Sequence, residues 1–258
     1  MDLSIKNKNA LVTGGSRGLG LASAISLAKE GVNIIICARS KDDLDKAKKL
    51  IQNFDVKIFC IETDLSDQKS IKNIHKISND TLGNIDILVN NVGGSLGTKS
   101  LETSSINDFQ KVMDINTWVA VNLTKLFLTD MVSKKWGRII NIASIYGREF
   151  GGSAPYMAAK SALIAITKHT AIDLAKTGVT ANCIAPGSII HNKGSWEKFV
   201  ENNSQETVND FIKSNLPMGK FGYPEAVGDT VAFLASKNAS MILGTCINVD
   251  GGQSNSLI

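Results

Sequence analysis

One helical turn separates Tyr156 from Lys160, and these two residues offer more chemistry than any other pair in the 258-residue chain. At i and i+4 they share one helix face. A free tyrosine has a pKa of about 10 and gives up its proton poorly at neutral pH. A neighbouring ammonium favours the phenolate. Lowering that pKa from about 10 to about 7 takes roughly 4 kcal/mol of differential stabilisation. A close charge in a dry site supplies that much, and such a tyrosine can act as a general acid or base. Taken alone, the pair would read as a snorkelling surface lysine beside a tyrosine. Ser144 at the end of an upstream strand and a glycine-rich loop near the N-terminus make the surface reading the poorer one.

That loop is Thr13-Gly14-Gly15-Ser16-Arg17-Gly18-Leu19-Gly20, lying between the first strand and the first helix. Glycines there let the backbone approach a pyrophosphate that rests on the helix N-terminus. The spacing is G-x-x-x-G-x-G, which differs from G-x-G-x-x-G. A glycine-rich turn alone is a weak signal; its position at the first strand–helix crossover strengthens it. The end of the second strand should read the adenosine ribose, where an acid would bind a free 2′-hydroxyl. Here the residues are Ala38-Arg39-Ser40. Arg39 can form a bidentate pair with a 2′-phosphate, and Arg17 adds a second cation. The charge argument favours NADP over NAD. The alternative is that Arg39 pairs with Asp42 or Asp43 on the surface.

The elements that must carry these residues alternate strictly. Strands are expected at 10–12, 32–37, 57–61, 87–89, 137–142, 180–185 and 246–249. Between them, helical spacing marks Leu21, Ala24, Ile25 and Ala28, then Leu44, Ala47, Ile51 and Phe54, then Ile71, Ile74 and Ile77. Longer helices are expected at 109–127, 156–174 and 226–235. Ser40 with Asp43 resembles a capping box. β-α alternation of this kind implies an α/β fold, a doubly wound parallel sheet of about seven strands with helices on both faces. No internal domain boundary is visible, so residues 1–258 read as a single domain. The irregular stretch 187–217 is too long for a plain connection and reads as a functional, substrate-binding loop.

Composition excludes other classes. The chain is 43% hydrophobic and 20% charged, ordinary for a globular protein. Its net charge of +4 comes from lysines scattered beside acids, so no nucleic-acid partner is expected. No apolar stretch is long enough to span a bilayer and the N-terminus lacks a secretory pattern. A cytoplasmic protein without a membrane partner is expected. Cys37, Cys60, Cys183 and Cys246 have no CxxC spacing and read as buried reduced thiols. His75, His169 and His191 lack metal-ligand spacing, so no metal is expected.

The motifs together resemble the short-chain dehydrogenase/reductase family. They are Thr-Gly-x-x-x-Gly-x-Gly at Thr13, Asn90-Asn91-Val92-Gly93, Asn116, Ser144, Tyr156-x-x-x-Lys160 and Pro186-Gly187. The resemblance runs from Lys8 to Gly252. Each motif alone is weak, whereas the set in this order is specific. The resemblance implies a Rossmann fold and an NADP (NADPH) cofactor. It makes Tyr156 the proton donor in ketone reduction and the base in alcohol oxidation. Lys160 would hold the nicotinamide ribose and favour the tyrosinate. Ser144 would hydrogen-bond the substrate oxygen, and Asn116 would anchor a water relay to Lys160. Gly14, Ser16, Arg17, Gly18, Leu19 and Gly20 would line the phosphates and ribose. Asp64 and Leu65 would meet adenine, Asn91 and Gly93 the adenosine ribose side, and Pro186, Gly187 and Ile189 the nicotinamide. A homotetramer is also implied, paired through 109–127, 156–174 and the strand at 246–249.

The sequence departs from the family in two places. Val92 stands where Ala is commoner, a small change. His191 stands where many members have a Thr that helps hold the carboxamide; either His191 donates in its place or backbone alone does the work. Arg148 has two readings, one pairing it with a substrate carboxylate or phosphate and the other with a nearby acid or subunit. Segments 216–225 and 248–252 resemble the 3-oxoacyl carrier-protein reductases. A small-molecule ketone or alcohol is the implied substrate, with a 3-oxoacyl thioester as the best single choice. A sugar, polyol or cyclic ketone is the alternative within the family. A non-catalytic NADP-binding regulator is the alternative outside catalysis, and the presence of both Tyr156 and Lys160 speaks against it.

Overall fold

Apolar, β-branched runs flanked by loops become strands buried on both faces. In a computed structural model of the chain, which describes residues 1–257, they are β1 (Asn9–Thr13), β2 (Asn33–Ala38), β3 (Ile58–Glu62), β4 (Ile87–Asn90), β5 (Gly137–Ile142), β6 (Val179–Pro186) and β7 (Cys246–Val249). All pair in parallel, in the order β3-β2-β1-β4-β5-β6-β7. Alternate residues of each strand feed opposite faces. Val12, Ile34, Ile36 and Val89 pack on one side with α1 (Gly18–Lys29), α2 (Lys41–Ile51) and α9 (Pro224–Ala235). Leu11, Ile35, Leu88 and Ile139 pack on the other with α3 (Gln68–Leu82), α5 (Val119–Ser133) and α6 (Ala154–Asp173). The result is one domain, a doubly wound sheet between two helical layers.

Helix α1 lies close against α9. Any side chain at Gly228 would run into the Ala22 carbonyl, and Ser26 Oγ donates to Asp229 Oδ1 at 2.8 Å. At α2 only half of the expected capping box forms. Ser40 Oγ accepts from Asp43 N at 3.2 Å, while the Asp43 carboxylate pairs with Lys193. Phe54 falls beyond the end of α2 and still packs on the core.

The expected single helix at 109–127 is two helices. Helix α4 (Ile106–Met113), opened by a capping box of Ser105 and Asp108, joins α5 through one π-helical turn at Asp114–Trp118. The cause is Asn116, whose Nδ2 donates at 2.8 Å to Val112 O. An unbroken α-helix would offer that carbonyl to Asn116 N. The stretch after β6 carries α7 (Ser195–Glu201) and α8 (Gln205–Asn215). Among the described residues, no helix is long and apolar enough to cross a membrane. Of the four thiols, Cys37 and Cys183 are buried, and Cys60 and Cys246 are half-buried.

Candidate active site

The sheet order reverses at β1, whose neighbours are β2 on one side and β4 on the other. In a doubly wound sheet the crevice at the carboxyl ends of such strands is where ligands bind. Thr13 ends β1 there and ties the two sides together. Its Oγ1 accepts from Asn91 N at 2.9 Å and Val92 N at 3.1 Å, and donates to Val89 O at 3.3 Å. Asn91 Nδ2 donates to Thr13 O at 2.9 Å, so its amide fixes the glycine-rich loop. That leaves its backbone, with Gly93, to face a ribose. Sequence reasoning quoted Thr13 as part of a motif and gave it no role. A hydroxyl at the last position of a buried strand was the available signal.

Within the loop, Gly14 and Gly18 have φ of +63° and +53°, which side-chain-bearing residues rarely adopt. A Cβ at Gly18 would stand 2.8–2.9 Å from the His191 ring. His191 is therefore half-buried against the phosphate loop, with Nδ1 3.0 Å from Asn192 O. The sequence suggests a solvated loop histidine; contact with the bare Gly18 backbone holds it in. Ser188 is buried at 4% exposure, and its hydroxyl has no hydrogen-bond partner among the described residues. It lies between Gly187 and Ile189, where the nicotinamide is expected. The bare-backbone cradle, Arg39 in place of an acid directly after β2 and this orphan hydroxyl together fit a phosphorylated dinucleotide.

Two of the residues expected to be catalytic, Asn116 and Lys160, meet at Gly93. Ser144 follows β5 and caps a short turn, its Oγ accepting from Tyr146 N at 3.2 Å. Tyr156 and Lys160 lie on the first turns of α6. Lys160 Nζ is 5.6 Å from the Tyr156 ring centre and donates to Ile142 O at 2.8 Å. A Cβ on Gly93 would come within 3.1 Å of Lys160 Nζ and would collide with Asn116 Oδ1. Asn116 grips the neighbouring residue from both sides, taking Gly94 N at 3.0 Å and giving to Gly94 O at 2.8 Å.

Burial dominates the electrostatics. It pushes the Tyr156 phenol up to about 12, against a lowering from the Ser144 hydroxyl. It pulls the Lys160 ammonium down to about 8. The upward shift of the phenol is the reverse of the lowering expected from Lys160, because desolvation outweighs the lysine's charge; the phenol holds its proton, the state needed to give one to a ketone oxygen. The lysine is still charged at neutral pH, beside the ring whose anion it would stabilise.

Other expected residues sit further out. Arg39 and Arg17 are exposed at the rim, and Arg39 makes no side-chain hydrogen bond or ion pair among the described residues. Asp64 accepts from Ser66 N at 3.0 Å, which with the nearby Arg39 charge holds its carboxyl below the usual range. The Leu65 side chain is buried in the core, leaving its backbone for adenine. Arg148 pairs with no acid among the described residues. Its Nη1 donates to Cys246 O at 3.2 Å and to Asn248 Oδ1, so the side chain is committed to β7. One bridge was not foreseen at all. Glu149 Oε2 holds the C-terminal tail through Ser254 Oγ, Asn255 N and Ser256 N, and Gln253 Oε1 accepts from Ser188 N at 2.7 Å. The tail thereby joins the segment after Ser144 to the loop after β6.

Fold and site define a dinucleotide-dependent oxidoreductase. Residues 14–254 match the family model described as enoyl-(acyl carrier protein) reductase. A 3-oxoacyl-(acyl-carrier-protein) reductase of Aquifex aeolicus is 34% identical over 254 residues, 98% of this chain and 99% of that protein. A D-beta-hydroxybutyrate dehydrogenase of Cupriavidus necator is 33% identical, over 96% and 98%. L-sorbose reductase from Gluconobacter frateurii, solved with NADPH and L-sorbose, superposes with a TM-score of 0.92 at 28% identity over the whole of both chains. The chain belongs to the short-chain dehydrogenase/reductase family. It is accordingly an NAD(P)-dependent enzyme acting on CH–OH or C=O groups. The names of these relatives cover a C=C reductase model, acyl reducers and a sugar reducer, so the family is fixed and the substrate is not.

Proposed function

We propose that the protein uses NADPH to reduce a 3-oxoacyl thioester to the secondary alcohol. The observation that carries the chemistry is the half-buried Tyr156, its phenol held toward the protonated form by desolvation, with Ser144 and Lys160 beside it. A bound reduced nicotinamide supplies the hydride. Ser144 Oγ hydrogen-bonds the carbonyl oxygen, and Tyr156 gives that oxygen its phenolic proton. The Lys160 charge stabilises the phenolate that remains. Asn116, its amide committed to Gly94 and Val112, anchors the water relay by which Lys160 returns the proton. Arg39 and Arg17 meet the 2′-phosphate, and Ser188 offers its hydroxyl to the carboxamide.

The thioester reading rests on the loop at 187–217, which we take as the substrate-binding loop. Its Trp196, Phe199 and Phe211 cluster with Phe221, with ring centres 4.8–5.9 Å apart. Such a face suits an acyl chain. A sugar needs convergent polar groups, and of the four that could serve (Ser95, Arg148, His191 and Asn192), Arg148 bonds to β7 and His191 packs on Gly18. The whole-chain likeness to L-sorbose reductase still keeps a polyol or sugar as the second reading. NADPH oxidation with acetoacetyl thioesters, sugars and cyclic ketones separates the readings. Turnover of the thioester is expected. Turnover confined to a sugar or cyclic ketone overturns it, and coenzyme binding without any turnover would mark a regulatory protein.

The proposal places the enzyme in the cytoplasm as a homotetramer. In support, α5 and α6 leave a hollow of about 150 Å³ between them, lined by Leu128, Ile166 and Thr170. Paired copies of this face form the two-fold contacts from which dihedral tetramers are built. Light scattering at micromolar concentration checks it; a monomer would count against it.

A further inference from the structure

The loop that follows β6 reaches back to the far end of the coenzyme crevice. Lys193 Nζ contacts both carboxylate oxygens of Asp43, at 2.9 and 3.2 Å. Asp43 lies in the first turn of α2, with its backbone N bonded to Ser40 Oγ. Ser40 and Arg39 end the connection from β2, where a 2′-substituent on the adenosine ribose is read. From the phosphate loop, Arg17 Nη1 donates to Lys193 O at 3.3 Å. Lys193 itself has a φ of +58°, held by its backbone N donating to Glu197 Oε2 at 2.6 Å. Two segments near the N-terminus and a third, 150 or more residues further along the chain, thus meet at one point.

Charge at that point raises a problem that Lys193 solves. Asp43 sits beside the place where a dianionic phosphate would land, and like charges there repel. Its carboxyl is held below the usual carboxylate range by Lys193 foremost, with Lys46 and Arg17 adding, so it is ionised at neutral pH. Arg17 and Arg39 alone would face the phosphate with one of their charges offset by Asp43. Lys193 cancels that offset and brings a third donor. Its side chain is 55% exposed and that of Asp43 18%, so the ammonium can turn from the carboxylate toward an incoming phosphate without being dug out of the core.

We propose that Lys193 is a coenzyme-specificity residue, through which the substrate-binding loop reads the 2′-phosphate. The inference rests on the NADPH reading of the preceding section. It adds that the loop over the substrate is fastened by the same phosphate that distinguishes the two coenzymes. NADPH therefore closes the loop as well as supplying the hydride, and NADH leaves it unfastened.

The test is binding, not turnover. Dissociation constants for NADPH and NADH are measured by coenzyme fluorescence for the unmutated protein and for Lys193→Ala and Lys193→Arg. Lys193→Ala should weaken NADPH about tenfold, the order of one charge-assisted hydrogen bond, and leave NADH unchanged. Lys193→Arg should keep the preference. NADPH should protect residues 187–217 from limited proteolysis in the unmutated protein and fail to do so in Lys193→Ala. If Lys193→Ala shifts both coenzymes equally, or neither, the contact is an ordinary surface ion pair and the inference is wrong. If the unmutated protein binds NADPH and NADH alike, it is the underlying NADPH reading that fails. Circular dichroism of the variants verifies that they fold.

Discussion

Replacing Lys160 by methionine should make the protein more stable near neutral pH and less stable at alkaline pH. Burial lowers the ammonium from 10.5 to about 8. Holding that charge costs the folded state about 3 kcal/mol. Methionine keeps the chain length and removes the charge, but it strips Ile142 O of a donor at 2.8 Å. That loss is worth about 1–3 kcal/mol. The unfolded lysine keeps its proton up to 10.5 whereas the folded one releases it near 8. Between those values the unfolded state binds more protons, so the unmutated protein gains stability as pH rises through the window. Below 8 the full penalty is present. At about pH 7 Lys160→Met should therefore lead by about 1 kcal/mol. At about pH 10 the folded amine is neutral and still bonded to Ile142 O, while the unfolded lysine keeps most of its proton, so about 1 kcal/mol of the penalty remains and the order should reverse by about 1 kcal/mol. Urea unfolding at the two pH values reads this as a crossing of midpoints with unchanged slopes. A variant weaker by the same amount at both would refute the reasoning. It would mean that Lys160 is held by its hydrogen bond and carries no burial penalty.

Three further outcomes test the site. Tyr156→Phe should lower kcat about 10³-fold, in the range for loss of a positioned proton donor, and leave the coenzyme dissociation constant within about twofold; near-normal kcat would remove Tyr156 from the chemistry. Arg39→Asp should turn the NADPH preference toward NADH, since the new carboxylate repels a 2′-phosphate and accepts from a free hydroxyl; fluorescence titration with both coenzymes measures it. Asn116→Ala should cost about 2–4 kcal/mol, because Gly94 and Val112 carbonyls and Gly94 N lose their partners together; thermal unfolding checks the stability, and a parallel fall in kcat would show that the Gly94 segment positions the catalytic residues.

The sheet was legible because each strand carries its own mark. The run Ile34-Ile35-Ile36-Cys37 is apolar at every position, and only a strand covered on both faces wants that. Tyr156 and Lys160 were legible because a four-residue spacing survives translation into a helix unchanged. The π-helical turn was not. Val112, Leu123 and Phe127 are all buried and keep a helix-like spacing across it. One extra residue in a turn shifts the phase by less than the width of an apolar stripe. Its cause is an amide bonded to Gly94, 22 residues away, and no local pattern encodes that bond.

The same distinction explains why the charged residues fared worse than the apolar ones. An apolar side chain needs only to be covered, and many neighbours will do. A charged or amide side chain needs one partner at one distance, and the partner is set by topology. Arg148 found β7, Glu149 found the C-terminal tail and Lys193 found Asp43, each about 100 residues or more away. All three lie on the two loops that border the crevice. Polar bridges there add to the apolar anchors Ile145 and Ile189 in holding those loops. Strand and helix patterns locate the crevice, while the width of its mouth rests on contacts that each depend on a single pair of residues. Divergence of substrate among proteins that share this sheet follows from that division. Replacing one bridging residue re-aims a loop at a cost of about 1 kcal/mol, whereas moving the crevice would mean rebuilding the core.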